Sequence, residues 1–142
     1  MAFVFQGEGY FYPLQPCPPN QSIDIFFLEL VAILAAVSFA AAQPRPPRRL
    51  LIFSDSLDSV GVLNSLSARN PLHNGVVRGI AGLIMESGID LRVRHIAGHD
   101  NIRADMLSRL MIDEYHRRFP SDRVRRFSPP RELLPARWRE CF

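Results

Sequence analysis

The chain has 142 residues, 47% of them hydrophobic, and a formal charge of +3. That length suits one domain, and that apolar content excludes a disordered chain. The two cysteines, Cys17 and Cys141, stand at opposite ends, which excludes a disulfide framework and any zinc-finger spacing; a reducing, intracellular setting (cytoplasmic or nuclear) is expected.

Met1-Ala2-Phe3-Val4-Phe5 lacks the basic region and cleavage pattern of a signal peptide. Ala2–Gln6 and Tyr10–Leu14 are short aromatic or β-branched runs around Gly7-Glu8-Gly9, the pattern of a β-hairpin. Pro13, Pro16, Pro18 and Pro19 then make a stiff loop. Ser22 or Asp24 can cap a first helix that runs to about Ala42. Within it, Ile25–Ala42 is an 18-residue apolar run interrupted only by Glu29 and Ser38. Such a run approaches the length of a membrane span, and Arg45, Arg48 and Arg49 would mark its cytoplasmic side. Against a span, a mid-bilayer acid costs about 2 to 3 kcal/mol on insertion scales. The run is also rich in alanine, which inserts poorly. A buried helix covering a sheet explains it as well, and a membrane partner is disfavoured.

Arg49–Ser54 reads as a strand with apolar residues on both faces, as in a buried parallel strand. Ser56 or Asp58 opens a short helix to about Leu66, and Asn70-Pro71 forms a loop. Leu72–Ser87 has Val76, Val77, Ile80, Leu83 and Ile84 at helical spacing, with Gly88 as its stop. Ile89–Ile96 alternates as an edge strand, with Ile89, Leu91, Val93 and His95 on one face. Asp100 or Asn101 caps a final helix to about Arg118. The remainder shows no periodicity, although Trp138 and Phe142 can pack back onto the body. The predicted order is β-β-α-β-α-α-β-α, with right-handed crossovers between parallel strands.

Charge is unevenly placed. Every basic residue is Arg; residues 117–142 hold eight Arg against three acids, and residues 1–116 nine against eleven. A domain over 1–116 followed by a basic Pro/Arg-rich tail over 117–142 is expected. The tail is either a solvated appendage or an arm that contacts phosphates.

Three acids stand out by context. Glu29 lies inside the apolar helical run, Asp55 follows the apolar strand Leu50-Leu51-Ile52-Phe53-Ser54, and Asp105 opens the last helix. Acids beside a core are costly unless paired, hydrogen-bonded or metal-bound. Three on successive elements can converge on a divalent cation, which takes hard oxygen ligands. Each also has a plain structural reading: Glu29 a satisfied polar group on a core helix, Asp55 a cap for the next helix, Asp105 a first-turn acid favoured by the helix dipole.

With these residues in view, the chain resembles the ribonuclease H domain of retroelement reverse transcriptases over residues 2–116. Glu29-Leu30-Val31-Ala32-Ile33-Leu34-Ala35-Ala36 is similar to the family's first helix, and Phe53-Ser54-Asp55-Ser56 to the strand that ends in its second aspartate. Gly98-His99-Asp100-Asn101-Ile102-Arg103-Ala104-Asp105-Met106-Leu107-Ser108-Arg109 resembles the family signature Gly-x-x-Asn-x-x-Ala-Asp-x-Leu-Ser-Arg, and is the most specific of the three. The resemblance implies an α/β fold with a ribonuclease H-like mixed sheet flanked by helices. It implies hydrolysis of RNA in an RNA–DNA hybrid with two Mg2+ ions (Mn2+ as an alternative), held by Glu29, Asp55 and Asp105, with Asp55 bridging both. His95 or His99 would assist proton transfer or product release, with a structural role for His95 equally open, and Asn101 would act as a helix cap.

The chain departs from the family in one respect. The family's first strand carries a fourth carboxylate, in an Asp-Ala-Ser or Asp-Gly-Ser stretch, and this chain has none; Met1–Phe5 aligns better with the second strand. The domain is therefore expected to be N-terminally truncated, with two interior strand edges lacking ladder partners, unless Ala2–Gln6 shifts into the central place. Hydrolysis would need a fourth acid, from Glu8 or from a partner chain that supplies the missing strand. The alternative is a non-catalytic nucleic-acid-binding remnant.

Overall fold

The chain is described here by a computed structural model covering residues 1–16 and 23–142; Cys17 and the Ser22 cap expectation lie outside the described residues. Strands β1 (Ala2–Phe5) and β2 (Glu8–Phe11) pair antiparallel. The turn is tighter than expected. Gln6 and Gly7 both take positive φ, 50° and 76°, which suits a two-residue hairpin whose twist matches its strands, so Glu8 and Gly9 belong to β2. Beyond the far end of the strands, Met1 N donates to Tyr12 O at 3.0 Å and Tyr12 N to Met1 O at 2.8 Å.

Helix α1 (Ile25–Ala41) starts where the Asp24 carboxylate accepts the Phe27 N–H at 2.6 Å. Leu30, Val31, Leu34, Val37 and Ala40 are all buried, and α1 packs against both β1 and helix α3 (Pro71–Ser87). A helix apolar all round is a buried helix. Among the described residues no helix is long and apolar enough to cross a membrane.

Strand β3 (Arg49–Ser54) pairs parallel with β4 (Asp90–His95). Between them run α2 (Leu57–Ser65), capped by Ser56, and α3, capped by Asn70 and ended by Gly88 at φ 73°. Two expectations for this pair need correction. Leu51 and Phe53 are 47% and 54% exposed, so β3 is not buried on both faces. His95 is exposed although Val93 on the same predicted face is buried, so the apolar side ends before it.

The single helix expected to run to Arg118 is broken into α4 (Ile102–Ser108) and α5 (Ile112–Arg118). Leu110 sits between them at φ 59°, a left-handed residue that no helix continues through. Asn101 occupies the residue before α4 but makes no capping bond with its side chain.

The expected tail is part of the fold. Strand β5 (Arg123–Arg126) pairs parallel with β2, and two short 3-10 helices (Arg131–Leu133 and Ala136–Cys141) follow. Leu134, Trp138, Cys141 and Phe142 are buried in the main core, with the Trp138 ring 5.2 Å from that of Phe27. The absence of periodicity hid this, because the buried residues fall at irregular spacing in a segment with no helical or strand repeat.

The architecture is mixed α/β, with a small mixed sheet flanked by helices. Among the described residues the strands form two sheets: one ordered β1-β2-β5, the other β3-β4. α1 covers one face of the first sheet through Phe3, Tyr10 and Phe39. α4 and α5 cover the other through Met106, Leu107 and Tyr115, against Ala2, Val4, Phe11 and Val124. Gly9 permits that close approach, since a Cβ there would meet Leu107 Cδ1 at 2.6 Å. β1 does not shift over to pair with β3; each is an edge of its own sheet.

Candidate functional site

Glu29, Asp55 and Asp105 come from different elements and line the same cavity of about 230 Å³, together with Met1, Asn101, Ala104 and Ser108. α1 presents Glu29 from its second turn, on the side where the helix meets the start of β1. Asp55 follows the last residue of β3, where the chain leaves the sheet and Ser56 begins to cap α2; the cap belongs to Ser56, so Asp55 is released from that structural reading. Asp105 stands in the first turn of α4.

The electrostatics of the three differ. Burial pushes the Glu29 carboxyl above its ordinary value, and the Asp55 charge adds to the push, while the Met1 ammonium opposes it. The Met1 amine is itself lowered by burial, against the pull of Glu29. Asp105 is committed differently: its Oδ1 accepts from Arg109 Nε at 3.0 Å, one helical turn on. Among the described residues, no three His, Cys, Asp or Glu side chains stand close enough to form a ready cation site. The arrangement is thus an acidic pocket in which the Asp55 charge acts on Glu29 and Asp105 is held by an arginine.

The two histidines are not part of it. His95 lies exposed at the end of β4, and His99 is 83% exposed with Asp100 Oδ2 at 3.5 Å. Neither lines the acidic cavity or its larger neighbour. Glu8, the in-chain source considered for a fourth acid, is also elsewhere: it accepts the Tyr10 hydroxyl hydrogen bond and lies 3.8 Å from Arg125, at the hairpin turn. Burial, then the Glu8 bond, pushes the Tyr10 hydroxyl up to about 12.

Sequence reasoning missed the Arg109 partner of Asp105, although the i,i+4 spacing of opposite charges on a helix was a readable signal. It also missed the larger cavity, about 410 Å³, that adjoins the acidic one and shares Ala2, Glu29, Ala32, Asp55, Asn101 and Ala104 with it. No sequence pattern marks it, because it arises from strands that fail to meet.

A scan of protein-family models gives no match, and searches of curated proteins and of solved structures give none either.

Proposed function

We propose that the chain is a ribonuclease H-like domain whose acidic cavity supports Mg2+-dependent hydrolysis of the RNA strand of an RNA–DNA hybrid. The observation that carries this reading is the convergence of Glu29, Asp55 and Asp105, from three separate elements, on one cavity. The donor set fits a hard divalent cation in type, being carboxylate oxygen throughout. Mg2+ keeps several waters and is commonly held by one or two carboxylates together with substrate phosphates. Glu29 and Asp55 are the pair for that role, with Mn2+ as an alternative ion.

A cation held there with the hybrid would polarise the phosphate and lower the pKa of a bound water. The residues' own parts follow from their surroundings. Glu29, whose charged form is disfavoured by burial and by Asp55, would be relieved by a cation's charge on engaging the site. Asp105 joins once its carboxylate exchanges Arg109 for the incoming group. Arg103 and Arg118, which line the adjoining cavity, offer cationic contact to the backbone phosphates of the hybrid. Recognition would follow hybrid shape rather than sequence.

The Asp105–Arg109 pair favours a second reading. If Arg109 never yields, two acids remain, and the chain becomes a nucleic-acid-binding domain without cleavage, using the exposed Arg123, Arg125 and Arg126 of β5. Cleavage of a labelled hybrid in Mg2+, compared with Asp55→Asn, separates the readings: metal-dependent cleavage that the variant lacks supports hydrolysis, and salt-sensitive binding without cleavage supports the second.

A further inference from the structure

The larger cavity has two strand edges for walls. Ala2 to Phe5 of β1 line one side and Leu50 to Ser54 of β3 the other; α1 closes it with Ala32, Ile33 and Ala36, and the opposite side carries Ile102 and Phe119. β1 and β3 are each the edge of a separate sheet.

The direction of the backbone groups follows from the bonds already made. Met1 and Tyr12 exchange both hydrogen bonds. By antiparallel alternation, Phe3 and Phe5 face β2 while Ala2 and Val4 point their N–H and C=O groups into the slot. On the other wall, Arg48 O and Ser54 O accept from Asp90 N and Ile96 N of the β4 side, at 2.9 and 3.0 Å. Leu50 and Ile52 share that phase, so Leu51 and Phe53 aim their backbone groups into the slot. Two rows of backbone donors and acceptors therefore face each other across an apolar-floored cavity. Buried backbone groups without partners are costly, and a strand edge is a template for another strand.

We infer that this slot binds an extended apolar segment of another polypeptide, which enters as a strand between β1 and β3 and joins the two sheets into one. The walls fix its properties. β1 has four residues and β3 six, so the inserted segment is four to six residues long. Both its faces meet helices or apolar side chains, so its residues are apolar in succession rather than alternating, and small or β-branched where they lie over Ala32 and Ala36. The start of β1 and the end of β3 meet at the same acidic cavity, so the two walls run antiparallel. Either direction of entry then gives one antiparallel and one parallel ladder. Backbone pairing supplies affinity and the apolar floor supplies selectivity, as in β-strand addition generally. The inference stands on the strand edges and does not depend on the hydrolytic reading.

The test uses the full chain and a synthetic peptide, Arg-Thr-Val-Ile-Val-Ala-Thr-Arg, beside the same peptide N-methylated at alternate apolar residues. Thermal unfolding and fluorescence anisotropy of the labelled peptide are the readouts. Expected is saturable binding of the unmethylated peptide with a rise of several degrees in unfolding midpoint, and at least tenfold weaker binding of the methylated one. Leu51→Pro removes one N–H that points into the slot while its half-exposed side chain leaves the core intact; it should unfold as the native chain does and bind the peptide at least tenfold more weakly. Equal binding of both peptides, no binding of either, or a native chain that is already dimeric at micromolar concentration and takes up no peptide would each overturn the inference. Hybrid cleavage by the native chain, measured separately, reports on the hydrolytic reading alone.

Discussion

The Glu29 carboxyl of α1 and the Asp55 carboxylate beyond β3 face one cavity, and the second charge, added to burial, raises the proton affinity of the first. An acid whose charge is disfavoured by burial and by a neighbouring carboxylate is a feature of sites that work on protons or cations, and several outcomes follow from this pair and its neighbours.

Glu29 ties stability to pH in a definite direction. Its pKa is raised in the folded chain, so the folded state binds the proton more tightly than the unfolded one. That contribution is complete below the ordinary glutamate range and is lost as pH rises through the raised value. Glu29→Gln keeps the shape and removes the charge. Urea titrations should show the variant more stable than the native chain at pH 7 and indistinguishable from it at pH 4.

Arg109 engages the Asp105 carboxylate at the cavity by a pair that is largely exposed, at 69% and 44% for the two side chains. Such i,i+4 pairs contribute about 0.3–0.5 kcal/mol. Arg109→Gln should leave the unfolding midpoint almost unchanged. In hybrid cleavage assays it should lower the Mg2+ concentration needed for half-maximal rate, since Asp105 no longer has to leave an arginine.

Asp24 joins α1 to α3: its carboxylate caps α1 through Phe27 N and meets His73 Nε2 at 2.9 Å. Burial opposes ionisation, but these contacts outweigh it and hold the Asp24 carboxyl below its usual value. Its contribution is therefore present above the ordinary aspartate range and is lost as pH falls. Asp24→Ala should cost about 1 to 2 kcal/mol at pH 7, the scale of a lost N-cap, with a smaller cost near pH 3; chemical denaturation at the two pH values checks both.

How far the sequence reached is clear from particular residues. Glu29, Asp55 and Asp105 were legible because each broke a local pattern, and the hairpin, α1, α3 and β4 because each has a strong periodicity or cap. The break at Leu110 was not legible: its left-handed φ belongs to a leucine, a residue that carries no turn signal. β5 was hidden because Arg123-Val124-Arg125-Arg126 has the composition of a solvated tail, and its pairing with β2 is a long-range event. The two-sheet arrangement and the exposure of Leu51 and Phe53 depended on what stands beside each strand, a long-range matter.

The C-terminal segment is a structural requirement. Trp138 is 2% exposed and packs on Phe27, and truncating a buried aromatic costs about 3–5 kcal/mol. That is a large part of the 5–15 kcal/mol that holds a typical domain together. Trp138→Ala should lower the unfolding free energy by about 3–5 kcal/mol, read as a lower urea midpoint at unchanged slope if folding stays two-state.

The most direct measurement is cleavage of an end-labelled RNA–DNA hybrid by the native chain in Mg2+ and in Mn2+, with Asp55→Asn beside it. The account predicts metal-dependent cleavage of the RNA strand that Asp55→Asn loses while keeping its fold by circular dichroism. A folded native chain that binds the hybrid and leaves the RNA intact in both metals would contradict it.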